Sequence, residues 1–214
     1  MAHRRNVTVK EINVRFFRTM LVIVALFPLS ACGLSGSAIK GQVLEAETNK
    51  PIPGAIVVVR WHGTWAPPAG TSTCYHVESA MTDAEGRYKT PAWTGPFQAG
   101  LFEDYWEVDV YKAGYAEMKG SHVVQGGKTD ISYLALFKGT MEERMRALWS
   151  TGVACESAGN SARNLIPLYR ALYQEASGIS QTKNDRQIVD ALLYELEKLE
   201  LGYEEATKRM LQRK

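Results

Sequence analysis

The run Ala55-Ile56-Val57-Val58-Val59-Arg60-Trp61 has no polar side chain before Arg60. Three consecutive valines after an isoleucine favour extended backbone, because β-branched side chains are stiff and fit a pleated surface. Successive side chains of a strand point to opposite faces. A strand that reads this way is apolar on both faces and cannot tolerate water on either. It is a central strand with material packed on each side, or the core strand of a sandwich. The rest of the chain must supply that material.

Its neighbours read as further strands. Ile39, Gly41, Val43 and Glu45 begin an alternating segment, and Thr48-Asn49-Lys50-Pro51 follows with turn chemistry. Residues 63–72, rich in Gly, Pro and Thr, read as a long loop. Residues 75–82 form a strand, Asp83-Ala84-Glu85-Gly86 a tight turn in which Gly86 takes positive φ, and residues 87–93 the return strand of a hairpin. Residues 94–104 read as a second long loop. Beyond it, Tyr105, Glu107, Asp109 and Tyr111 fall on one strand face and Trp106, Val108 and Val110 on the other. Lys112-Ala113-Gly114-Tyr115 is a turn, and short strands are expected at 121–124 and 130–137. About seven strands at short spacing, separated by Gly/Pro turns, predict a β-sandwich over residues 38–138.

From residue 139 to 214 the period changes to that of helices. Thr140-Met141-Glu142-Glu143 is a capping box, with Met141, Met145 and Leu148 on one face of the helix it opens and Gly152 at its end. Asn164 is expected to cap a second helix, since Pro167 is tolerated in a first turn; Leu165, Leu168, Tyr169 and Leu172 form its apolar side and Gly178 stops it. A third helix starts near Asn184. Ile188, Leu192, Leu196, Leu199, Tyr203, Ala206 and Met210 make one stripe that packs on the body of the protein or on a coiled-coil partner, and Gly202 bends or splits it.

At the other end, Arg4, Arg5, Lys10, Arg15 and Arg18 are opposed only by Glu11, and an apolar run from Met20 to Leu29 follows. A basic region, a short apolar region and small residues make a secretory signal peptide. The apolar run is shorter than the roughly 20 residues that span a bilayer. Leu29-Ser30-Ala31-Cys32 resembles the lipobox of bacterial lipoproteins. The resemblance implies that residues 1–31 are removed and that Cys32 becomes a first residue acylated with palmitate-type chains. It also implies a lipid-anchored protein on the periplasmic face of the envelope, at the outer membrane because Gly33 rather than Asp follows. Residues 32–37 then read as a flexible tether. Roughly 180 residues remain, enough for one domain with a helical appendage.

The whole chain carries a net charge of +2, and the leader holds all of the basic excess. No basic stripe or recognition motif points to nucleic acid. With Cys32 acylated, Cys74 and Cys155 are left. In an oxidising compartment they pair as a disulfide, or stay as two buried thiols. A bridge across so long a loop contributes roughly 4 kcal/mol in the chain-entropy picture and ties the helical segment to the β part.

Ile39-Lys40-Gly41-Gln42-Val43, then Asn49-Lys50-Pro51-Ile52-Pro53-Gly54-Ala55 and Val57-Val58-Val59, look like the opening of a carboxypeptidase regulatory-like domain. Thr82-Asp83-Ala84-Glu85-Gly86-Arg87-Tyr88 is similar to that family's hairpin, and Lys112-Ala113-Gly114-Tyr115 to its late Gly-Tyr turn. The resemblance covers about 100 residues and implies a transthyretin-like (prealbumin-like) sandwich. The long stretches 62–74 and 94–104 depart from the short family form.

That family's β domain accompanies a zinc peptidase without being the catalyst. His62, His76 and His122 are followed three places later by Trp65, Ser79 and Gln125, so the His-x-x-Glu zinc signature is missing. A ureide hydrolase shares the fold, but its Tyr-Arg-Gly-Ser ending is absent; here Tyr169-Arg170 precedes Ala171-Leu172. Cys74 and His76 share a strand face, yet two ligands are too few for a metal site. An enzyme would need His76 to converge with Glu78 or Asp104. Trp61, Trp65, Trp93, Phe97, Tyr105 and Trp106 plug the core, or the loop aromatics stack on sugar rings; a glycan reading rests on Trp65, Phe97 and Trp106 sharing one groove. The expectation is a non-enzymatic structural or interaction module of the cell envelope, with no cofactor and no metal. Its partners are the membrane and an envelope protein or glycan; the alternative is a carbohydrate- or peptidoglycan-binding module.

Overall fold

A computed structural model describes residues 33–68, 70–117, 130–152, 155 and 157–213. The leader, Cys32 and the strand expected at 121–124 lie outside the described residues. The β part comprises β1 (Leu34–Gly36), β2 (Lys40–Glu45), β3 (Ile56–Trp65), β4 (Ser72–Met81), β5 (Arg87–Lys89), β6 (Trp93–Gly95), β7 (Leu101–Tyr111), β8 (Tyr115–Glu117) and β9 (Asp130–Leu136). The helical part comprises α1 (Met141–Thr151), a 3-10 turn (Gly159–Leu165), α2 (Ile166–Ile179), α3 (Lys183–Leu201) and α4 (Tyr203–Gln212).

The strand that looked apolar on both faces has a layer on each. β3 is the middle strand of the order β4-β3-β7, antiparallel to both neighbours. Val57, Val59 and Trp61 point into one core, shared with Val43 of β2, Tyr88 of β5 and Leu134 of β9. Those partners belong to a second sheet, ordered β5-β2-β9-β8, in which β2 and β9 run parallel. Ile56 and Val58 point the other way, into a core made with Met145 and Leu148 of α1, Leu168 and Leu172 of α2, and Leu192 and Leu196 of α3. Burying each of these side chains contributes roughly 1.5–3 kcal/mol, so the two-faced strand holds three layers together. The alternation expected along β7 is present: Trp106, Val108 and Val110 join the first core, and Tyr111 joins the second.

The long loops are shorter than expected, because β3 runs on to Trp65, β4 starts at Ser72 and β7 starts at Leu101. The hairpin expected at 75–93 does not form. Its turn is there: Asp83 Oδ1 accepts from the Glu85 and Arg87 amides at 3.0 and 2.8 Å. Its second arm, however, crosses to the other sheet and pairs with β2. Gly86 drives the crossing. At φ 69°, it lies so close to β2 that an added Cβ would sit 2.5 Å from the Val43 carbonyl oxygen, which leaves room for glycine alone. Thr82 anchors the start of the turn, its hydroxyl accepting from the Ala55 amide and donating to the Ile52 carbonyl.

In the helical part, the Thr140–Glu143 capping box and the split of the last helix at Gly202 are as the sequence implied. Three details differ. Asn164 caps nothing; it lies in the 3-10 turn, and its side chain donates to the Val77 carbonyl and to Glu78. Leu165 holds the cap position of α2, and Gly178 lies within that helix, which runs to Ile179. The stripe on the last helices breaks at Gly202: Leu192, Leu196 and Ala206 are buried, whereas Tyr203 is exposed.

The 3-10 turn covers the outer edge of β4. Ser157 N donates to the Cys74 carbonyl, Ser161 Oγ accepts from Val77 N, and Asn164 occupies the Val77 carbonyl. An uncovered edge invites pairing with another chain, and these bonds close it. Cys74 of β4 and Cys155 form a disulfide with Cα atoms 4.9 Å apart, which brings the two cysteines together across the same seam. A buried ion pair supports the other side of the helical layer. Arg144 donates from Nε and Nη2 to the two oxygens of Glu175 at 2.7 and 2.8 Å, and from Nη1 to the Tyr115 carbonyl. Tyr111 and the Gly114 amide donate to the same carboxylate. Each nitrogen of the guanidinium and each oxygen of the carboxylate is therefore directed at a partner, as burial of charge requires.

Candidate binding groove

The stretch expected to be a flexible tether is a strand. β1 pairs with β6 in the register Leu34↔Gly95, Ser35↔Thr94 and Gly36↔Trp93. Glycines that looked like flexible spacing serve close approach. A Cβ on Gly36 would lie 2.1 Å from Trp93 Nε1 and 2.9 Å from Trp61 Nε1, and one on Gly33 would lie 2.5 Å from the Gly95 carbonyl oxygen. β1 therefore lies flat on two indoles, and Leu34 is buried.

Between β1 and β7 this leaves a groove of about 230 Å³. Trp61 and Tyr75 form its floor, Trp106 its wall, and Ser35, Ser37 and Glu103 its polar rim. The Glu103 carboxylate accepts weakly from Ser35 N at 3.4 Å. A register shift in the β3–β7 pairing between His62 and Gly63, which skips Asp104, sets the two sides of the groove. Such a bulge re-aims the side chains around it. Glu103 stays on the groove side, while Tyr105 turns and stacks on His62, ring centroids 4.9 Å apart and nearly coplanar. The groove is smaller than a drug-sized pocket, of a size for one ring with hydroxyls rather than an extended ligand.

Of the three aromatics expected to share a groove, Trp106 lines this one. Trp65 packs against the sheet core and Phe97 is exposed beyond β6, so the structure does not bring the three together. Glu103, Ser35 and Ser37 were missed by sequence reasoning. No local signal marks them, because the contacts that bring β1 onto Trp61 and Trp93 are distant in sequence.

His76 and Glu78 do converge, with Nε2 to Oε1 at 2.9 Å. The imidazole is clamped, stacked on Trp93 at 3.7 Å and edge-on to Trp61 at 5.5 Å, and the second Glu78 oxygen accepts from Asn164. Desolvation lowers the His76 pKa against the opposing pull of Glu78, so the ring is neutral near pH 7. It does not line the groove. Cys74, its neighbour on the strand, is committed to the disulfide. On the helix-facing side, His62 Nε2 lies 2.6 Å from Glu107 but off the line of a hydrogen bond, beside an Arg60–Asp109 pair at 2.9 Å. Among the described residues, no group of three or more His, Cys, Asp or Glu gathers as a metal site.

A larger cavity, about 410 Å³, lies between the N-terminal ends of α1 and α3. Its acid Asp185 is already engaged by the Gln181 and Thr182 amides as part of a helix cap. No described helix is long and apolar enough to cross a membrane.

No family model matches the chain, and no curated protein matches it. Among solved structures, it is similar to a crystal structure of a 9R-lipoxygenase from Cyanothece PCC8801, at 14% identity and a TM-score of 0.25, over 67% of this chain and 24% of that one. The chain spans about a quarter of that structure's length, and a likeness this slight bears on neither fold nor activity.

Proposed function

We propose that this chain is a lipid-anchored, non-enzymatic binding module of the bacterial cell envelope, attached through Cys32 on the periplasmic side, at the outer membrane. The observation that carries the reading is the docking of β1. Gly33 adjoins Cys32 in the chain and already presses on β6, so an acyl anchor at Cys32 would join a rigid body without slack. An attachment of that kind holds the module close against the membrane. The resemblance to a carboxypeptidase regulatory-like domain fits this reading. Thr82, Asp83, Gly86 and Tyr88 each have a structural task at the crossing between sheets, and two sheets sharing one core are what a transthyretin-like sandwich requires. Labelled palmitate should enter the wild-type protein and not the Cys32→Ser variant. Label in both, or in neither, contradicts the anchor.

A second reading is favoured by the groove itself: a glycan or muropeptide sugar stacked on Trp106, with hydroxyls on Glu103 and Ser37. Titration with muropeptides should shift tryptophan emission, and Trp106→Ala should weaken binding up to about tenfold. No shift with any glycan removes this reading and leaves a protein partner.

A further inference from the structure

The exposed aromatics nearest the anchor have no counterpart in the cores. Phe97 is 60% exposed and lies two residues beyond Gly95, the residue on which Gly33 rests and with which Leu34 pairs. Phe102 is 62% exposed and precedes Glu103, whose carboxylate reaches Ser35 N. Trp65 belongs to the same end, paired with Leu101. From Cys32 to Leu34 the chain spans at most about 7 Å. Resting on the anchoring reading above, this means that acyl chains entering a bilayer bring this end of the molecule down to the headgroups.

We propose that Phe97 and Phe102 form a membrane-seating patch that inserts into the phospholipid interface beside the acylated Cys32 and fixes the tilt of the whole body. Large apolar rings leave water favourably at such an interface, and Phe lies on the apolar faces that bury at the boundary between headgroups and acyl chains. An anchor alone holds a protein near the surface without orienting it. A second contact within reach of the anchor supplies orientation, and pairing β1 with β6 removes the rotational freedom that a loose tether would keep.

The test uses the full-length protein purified from membranes and reconstituted in phosphatidylethanolamine-rich vesicles, with and without brominated acyl chains. Bromine should quench the tryptophan emission of wild type, with Trp65 as the shallow reporter. Phe97→Ser/Phe102→Ser should lower that quenching about twofold or more, with an unchanged melting temperature because both side chains are exposed. The acyl state of Cys32 is read from the same sample by mass. Equal quenching of wild type and double variant with Cys32 acylated overturns the seating patch and leaves the anchor standing. An unmodified Cys32 overturns both.

Discussion

At the residue scale, the most consequential group is Glu175. Burial alone would raise its pKa, but hydrogen bonds from Arg144 and Tyr111 and the charge of Arg144 outweigh that and hold it below the ordinary glutamate range. A carboxyl depressed on folding contributes stability that is full above its unfolded pKa, near 4.5, and is lost as pH falls through the lower folded value. Urea unfolding followed against pH should therefore show stability falling below about pH 4.5, and Glu175→Gln should flatten that fall. Removing the other partner leaves a buried charge: Arg144→Ala should cost about 3–5 kcal/mol in the same assay. His76 works in the same protonation sense, except that the deprotonated form that folding favours is the neutral one. Its pKa is lowered by desolvation between Trp61 and Trp93, so the unfolded chain takes up a proton first as pH falls through 6.5, and stability drops with it. His76→Gln should remove that step from the stability profile between about pH 7 and 5.5, with Glu78 still bonded to Asn164.

At the scale of elements, β3 was readable because its two-faced apolar run admits few arrangements, and β7 because its alternation is clean. The start of α1 was readable because a capping box is a local device: Thr140 bonds the amide of Glu143, three residues on. What was not readable depends on partners distant in sequence. Nothing local distinguishes a Gly-Ser tether from a strand lying on Trp61 and Trp93, since the reason for Gly36 lies near position 93. The turn at 83–86 has hairpin residues, yet its second arm joins β2 because Gly86 meets Val43 there. Asn164 has the chemistry of a cap but bonds a strand edge instead. Even a methyl group at Gly36 would strike both indoles, so Gly36→Ala should displace β1 and raise amide exchange at 34–36 and 93–95 by about tenfold or more, with the remainder of β3 unchanged.

At the scale of the whole molecule, two sheets and a helical layer share β3 and are closed by a bridge between Cys74 and Cys155. The loop spans 81 positions, and opening it by reduction or by Cys74→Ala/Cys155→Ala should lower stability by roughly 2–5 kcal/mol. The loss should be accompanied by faster exchange along β4 and the 3-10 turn, since the edge bonds from Ser157, Ser161 and Asn164 sit on the same seam. The account of function depends on where this body is tied. Trypsin cuts after Lys40, the first basic residue beyond Cys32, so the start of the mature protein appears as one short peptide. The mass of that peptide should correspond to Cys32 through Lys40 with fatty acyl groups on the cysteine and no residue before it. A free thiol at Cys32, or a peptide that begins upstream of it, contradicts the account.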